Sequence, residues 1–205
     1  MLWMIWMNRT VATLCVGLVA LLGDHVVAQN SLPRVVRAVA DNFTHGAVGL
    51  LSWHIVTVHL ADLSVTARLW EVLLCGLLAS AIDLDHFAAA RSLRIEDALR
   101  LSSRPFLHCT SVPLAVSGIM VMVAHIFCWP SLHRLSWIFV VAILSHHLRD
   151  AARRGLWLYP FGSIPPIPSA VYIVSCMLLP HLLPWLGWRT RVVPQPAPMH
   201  SVVVL

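Results

Sequence analysis

Apolar residues dominate the chain in six runs, each broken by short polar clusters. The runs cover 10–28, 44–61, 69–87, 111–129, 135–150 and 167–188. A membrane helix needs about 20 mainly apolar residues to cross about 30 Å of hydrocarbon. Most of the runs approach that length, and none shows the period-two alternation of a half-buried strand. The pattern therefore predicts an all-α, multi-pass transmembrane helix bundle of about six spans. The second and fifth runs are the more polar, and without them four spans remain. Residues 1–188 read as a single transmembrane helical domain. Residues 189–205, ending "RVVPQPAPMHSVVVL", read as a Pro-rich, flexible tail. The first run, interrupted by Asp24 and His25, reads as a span rather than a cleaved signal peptide.

Composition supports the same class. Of 205 residues, 59% are hydrophobic and 11% charged, against roughly 25% charged in soluble domains. Mean hydropathy is +0.79. Net charge is +5, and all 14 basic residues are Arg. A pI near 9.4 could indicate nucleic acid. These arginines are scattered among apolar runs, however, with no soluble basic domain to gather them, so a nucleic-acid partner is excluded and the expected partner is the lipid bilayer. The five cysteines show no paired spacing, and four fall in apolar runs, which argues against a disulfide framework.

With six alternating spans, ends of odd runs and starts of even runs share one membrane face. Five polar clusters then meet there: "GDH" at 23–25, "DNFTH" at 41–45, "DLDH" at 83–86, "RPFLH" at 104–108 and "SHHLRD" at 145–150. Ionisable groups beside the hydrocarbon are costly and mark functional sites by default. His146 and Asp150 are i and i+4, and Asp83 and His86 are i and i+3, so each pair shares a helix face. Asp85 points elsewhere if its helix continues and joins the pair if the helix frays. Imidazoles mixed with carboxylates suit zinc, manganese or iron better than calcium or magnesium. A lone membrane histidine, such as His54, His59 or His125, more often serves an interhelical hydrogen bond. Asp83 could equally pair with Arg104, and Asp150 with Arg149 or Arg153. Five clusters converging from separate regions favour a site over pairing alone.

The face carrying the clusters holds nine arginines and the other face five, so the positive-inside bias puts the cluster face in the cytoplasm. The organelle, by contrast, is not encoded in this pattern. No pair of short Gly/Pro-interrupted spans marks an inverted-repeat transporter.

The motifs "DNFTHGAVG", "WEVLLCGLLASAIDLDHF", "RPFLHCTSVP" and "SHHLRDAARRGLWLYPFG" resemble the animal transmembrane protein 267 family, over roughly residues 20–185. More distantly, their order resembles bacterial inner-membrane proteins of the YdjM type, which are regarded as metal-dependent hydrolases. In that pattern Thr44 and His45 match an early T-H element, and Asp83, Asp85 and His86 match D-x-D-H. Arg104 and His108 keep an R-x-x-x-H spacing. Ser145, His146 and Asp150 match S-H-x-x-x-D, and Gly155, Tyr159, Pro160 and Phe161 the last element. Ser103, Pro105 and Cys109 depart from it, standing where the pattern has histidine, glycine and serine. The resemblance implies a divalent metal among His45, Asp83, Asp85, His86, His108, His146 and Asp150. In an enzyme, the guanidinium fork of Arg104 would suit an anion clamp and the imidazole of His147 a proton carrier. Position at the membrane face points to a lipid or phosphate-ester substrate.

Overall fold

The structure, a computed structural model, describes residues 2–58, 60 and 63–189. It is all-helical. Six long helices are joined by short turns: α1 (Leu2–Ala28), α2 (Arg34–Thr57), α3 (Val65–Ala81), α6 (Ser111–Ile126), α7 (Pro130–Arg154) and α8 (Ser169–Arg189). Between α3 and α6 lie two short helices, α4 (Asp85–Ala90) and α5 (Ile95–Ala98), and two 3-10 turns, Ile82–Leu84 and Phe106–His108. The Pro-rich tail expected from residue 189 lies, apart from Arg189, outside the described residues, as does His59.

Each of the six apolar runs lies mainly on one long helix, the third continuing from α3 through the 3-10 turn into α4. Two stretches are long and apolar enough to cross a membrane, Met7–Ala28 and Val65–Ala90, and Ser111–Ile126 and Ser169–Leu183 are shorter apolar helices. α2 starts ten residues before its apolar run and α7 five residues before its own. Hydropathy registers only the apolar part of a helix, whereas the polar ends of α2 and α7 stay helical because their side chains find partners across the bundle.

Local chemistry sets several ends. Ser64 caps α3, its hydroxyl accepting the Ala67 N–H at 3.2 Å. Pro130 opens α7 at the position where a missing N–H is harmless. Gly155 closes α7 at φ 68°, and a Cβ there would strike the Ile164 carbonyl. The close approach of α2 and α3 depends on small residues, since a Cβ at Gly49 would lie 2.7 Å from the Ala79 Cβ.

α7 runs through the centre of the molecule, against α2, α3, α6 and α8. One apolar core joins α2, α3, α7 and α8 around Trp53, Cys75, Ala79 and Val141. The second joins α1, α2 and α8 around Val16, Val48, Ile55 and Tyr172. Large apolar side chains also face outward, among them Leu14, Leu18 and Leu21 on α1 and Leu69, Trp70 and Leu77 on α3. Outward leucines along whole helices are what a lipid environment permits.

Candidate metal centre

At the cluster end of the bundle, α3 does not continue as one α-helix. It tightens into the 3-10 turn Ile82–Leu84 and resumes as α4. That change of winding rotates Asp85 toward the same region as Asp83 and His86. The 3-10 turn Phe106–His108 then delivers His108 between this segment and α7, while His45 comes from α2.

His146 is fully buried, and its Nδ1 lies 2.8 Å from the Ala79 carbonyl oxygen. A carbonyl only accepts, so Nδ1 carries the hydrogen and Nε2 of the neutral ring presents a lone pair. That lone pair faces His108 Nε2 at 3.4 Å, Asp83 Oδ1 at 3.7 Å and Asp150 Oδ2 at 3.8 Å. His108 Nε2 in turn lies 3.4 Å from Asp83 Oδ1 and 3.5 Å from Asp150 Oδ2. Ligands about 2.0–2.2 Å from a tetrahedral zinc are separated from one another by about 3.3–3.6 Å. Three of the five separations fall in that range and two, at 3.7 and 3.8 Å, lie just beyond it, so these groups could hold a metal ion.

Each of these four groups is held from behind. His108 Nδ1 lies 3.2 Å from Asp85 Oδ2, and the same oxygen accepts the Leu107 N–H at 2.8 Å. Asn42 Nδ2 donates to Asp83 Oδ2 at 3.0 Å and to the Ser80 carbonyl at 2.7 Å. Arg153 reaches Asp150 Oδ1 at 3.1 Å, and Ala79 holds His146. A partner behind every donor is the arrangement that fixes tautomer and orientation in metal sites.

His45, Asp85 and His86 flank this core. His45 Nε2 lies 3.4 Å from Asp150 Oδ1, and its ring stacks on His146 at 3.8 Å between centroids. His86 Nδ1 lies 3.2 Å from Asp85 Oδ1, a close contact without hydrogen-bond alignment. Three triads offer ligand atoms within 4.8 Å of one another: Asp83, His108 and His146; His45, His146 and Asp150; and Asp85, His86 and His108. All seven residues expected to be ligands are thus gathered in one place.

Arg104 and His147 are placed differently. Arg104 donates to the Gly155 carbonyl at 3.2 Å and is not among the ion partners of Asp83 in the described residues. His147 is buried, and its Nε2 donates to the Leu107 carbonyl at 3.0 Å, which steadies the turn bearing His108.

Behind the cluster runs an ionic network. The Arg149 side chain is fully buried and pairs with Asp24 at 3.0 Å and with Asp41. The Tyr172 hydroxyl hydrogen-bonds Asp24. Arg153 bridges Asp41, at 2.8 Å, and Asp150. Of the two arginine partners weighed for Asp150, the structure selects Arg153, while Arg149, one turn earlier on the same face of α7, pairs with Asp24 and Asp41. Tyr172 was not legible in the sequence, because a phenol on an apolar helix carries no periodic signal, whereas Asn42 stood in the "DNFTH" cluster without an assigned role. Asp24 and Asp41 were visible as members of polar clusters, but their partner was not.

Burial opposes a proton on His108, but hydrogen bonds with Asp83 and Asp85 outweigh it and push its pKa up to about 9. A cavity of about 340 Å³ opens beside the cluster, lined by Asp83, His86, His108 and Asp150 together with Phe87 and Ile95.

No protein-family model and no solved structure matches the chain. It is similar to transmembrane protein 267 of Mus musculus, 46% identical over 156 residues, covering 75% of this chain and 70% of the mouse protein. The Bos taurus protein of that name is 36% identical, covering 83% of this chain and 76% of its own length. The Danio rerio protein is also 36% identical, covering 92% and 85%. With identity of that extent along most of both sequences, this membrane-protein chain belongs to the transmembrane protein 267 family.

Proposed function

We propose that the chain is a multi-pass membrane protein whose His/Asp cluster holds a divalent cation, of the zinc, manganese or iron type, and serves hydrolysis of an ester. Asp83, His108, His146 and Asp150 would hold the ion, with His45, Asp85 and His86 around it. The observation that carries this reading is the His146 lone pair, fixed by the Ala79 carbonyl and aimed at two carboxylates and a second imidazole. A lone pair among anions is repelled unless a proton or a metal ion lies between them, and a divalent cation can meet all four groups at once. The donor set, nitrogen and oxygen without thiolate, suits these metals. A bound divalent cation supplies Lewis acidity and a water of lowered pKa.

The chain's own residues do the rest. Asp85 keeps the His108 hydrogen on Nδ1, Asn42 orients Asp83, and Arg153 orients Asp150. His86 lines the cavity and takes the proton-carrying role that His147, turned to Leu107, is not placed to perform. Six long helices, two of them long and apolar enough to span, support the reading of up to six crossings, and the arginine bias supports a cytoplasmic cluster face. The hydrolase part of the reading rests on the motif order shared with the bacterial proteins. A second reading, a structural metal site without turnover, is favoured by Ser103 and Cys109, which replace polar residues of that pattern.

Metal analysis of the detergent-purified protein, with a phosphate-ester hydrolysis assay, tests both readings. Stoichiometric metal with turnover, both lost in His146→Ala, supports the hydrolase. Stoichiometric metal without turnover supports the structural site, and absence of metal overturns both.

A further inference from the structure

The cavity beside the cluster has a composition that defines its ligand. Its volume, about 340 Å³, lies at the low end of ligand pockets, which run from about 300 to 1,000 Å³. There is room for one head group and the first part of one chain, not for two chains side by side. Asp83, His86, His108 and Asp150 supply a polar part of the lining, and Phe87 and Ile95 an apolar part. Val39, Leu84 and Leu99 also line it and are exposed, at 58%, 61% and 46%. A mouth of exposed aliphatic side chains opens more favourably to hydrocarbon than to water.

Charge defines the head. The lining holds three carboxylates, of Asp41, Asp83 and Asp150, and two guanidiniums, of Arg153 and Arg154. These five groups sum to one negative charge, and with the histidine rings neutral around a divalent cation the lining carries one net positive charge. Arg153 is committed to Asp41 and Asp150. Arg154 is exposed and forms no ion pair among the described residues, so its fork of donors is available to a ligand. A phosphate, with three terminal oxygens, can meet both the cation and Arg154.

We propose that this cavity takes a single-chain lipid phosphate, a phosphate monoester of a long-chain alcohol. The phosphate lies between the metal and Arg154, and the chain passes Phe87 and Ile95 and leaves over Val39, Leu84 and Leu99 toward the bilayer. The inference rests on the metal reading above. It replaces Arg104 with Arg154 as the anion clamp.

The test uses the full chain in detergent, with metal content measured on every sample. Binding of hexadecyl phosphate is compared with that of inorganic phosphate and of hexadecanol, each with added manganese and with chelator. The expected result is binding of hexadecyl phosphate at least about tenfold tighter than either control, lost with chelator and weakened about tenfold in Arg154→Glu. Arg154 is exposed, so that variant should fold. Leu99→Gln, at the mouth, provides a second variant that should weaken hexadecyl phosphate and leave inorganic phosphate unchanged. Stoichiometric metal with inorganic phosphate bound as tightly as hexadecyl phosphate points to a soluble phosphate ester and overturns the lipid assignment. Stoichiometric metal with Arg154→Glu and Leu99→Gln both unchanged overturns this cavity as the site. Absence of metal overturns the metal reading and this inference with it.

Discussion

His146 Nε2 and His108 Nε2 face each other at 3.4 Å, with carboxylate oxygens of Asp83 and Asp150 beside both nitrogens. Two imidazole nitrogens cannot approach this closely with lone pairs on both. Either a proton or a metal ion must lie between the carboxylates and the rings. In the metal-free protein the proton is on His108, whose pKa its two aspartate partners push up to about 9.

That proton gives a pH dependence with a defined sign. A free histidine titrates near 6.5. His108 holds its proton to higher pH in the folded state, so its protonation stabilises the metal-free fold fully below about pH 6.5. This contribution is lost as pH rises through about 9. Metal binding must displace the same proton, so apparent metal affinity should rise about tenfold per pH unit between 7 and 9 and flatten above. Thermal unfolding with manganese and with chelator, from pH 6.5 to 9, should therefore diverge, the chelated protein losing stability while the metal-loaded protein does not. Parallel curves would refute the shared position of proton and metal.

Asp85 tests the support behind the ligands. It accepts from both His108 Nδ1 and the Leu107 N–H. Asp85→Asn preserves shape but puts an amide where the ring and backbone hydrogens need an acceptor. Loss of such a partner weakens metal affinity about 10–100-fold. A competition titration against a fluorescent chelator measures this, and an unchanged affinity would remove Asp85 from the site.

The architecture was legible because lipid-facing helices must be apolar over most of their length, and all six apolar runs lie mainly on long helices. The cluster was legible because its residues stand at helical spacings, as His146 and Asp150 do, or at the ends of runs. Two things were hidden. The 3-10 turn at Ile82–Leu84, which brings Asp85 behind His108, is one of the two courses the sequence left open at Asp85, because spacing alone does not say whether the helix continues or changes winding. The choice of partner for each arginine depends on which side of α7 it occupies after packing. Arg149 and Arg153, one turn apart, serve different aspartates, Asp24 and Asp150, and share Asp41.

Topology follows from the arginine bias and is checked separately. With the cluster face in the cytoplasm and six crossings, both termini lie on the luminal or extracellular side. A glycosylation acceptor appended at the C-terminus should be modified in cells. If it stays unmodified and a cytosolic reagent reaches it, the assignment is wrong.

Arg149 and Arg104 separate folding from metal binding. Arg149 is fully buried between Asp24 and Asp41, on helices α1 and α2, and Tyr172 of α8 completes the contact. Arg149→Met takes the guanidinium from Asp24 and leaves Asp41 to Arg153, and breaking a buried pair in this way costs about 3–5 kcal/mol. Arg104, half-buried, loses one hydrogen bond to the Gly155 carbonyl in Arg104→Ala, worth about 1–3 kcal/mol. The expected outcome is a sharp fall in the yield of monodisperse, detergent-extracted Arg149→Met. Arg104→Ala should extract as wild type and keep its metal, because it orients no ligand. A double variant, Arg149→Met with Asp24→Asn, should recover part of the lost stability, since it removes the carboxylate that the first change strands, while Asp41 keeps Arg153. If Arg104→Ala proves the more damaging change, Asp83 is an ion-pair partner rather than a ligand, and the cluster is a helix clamp.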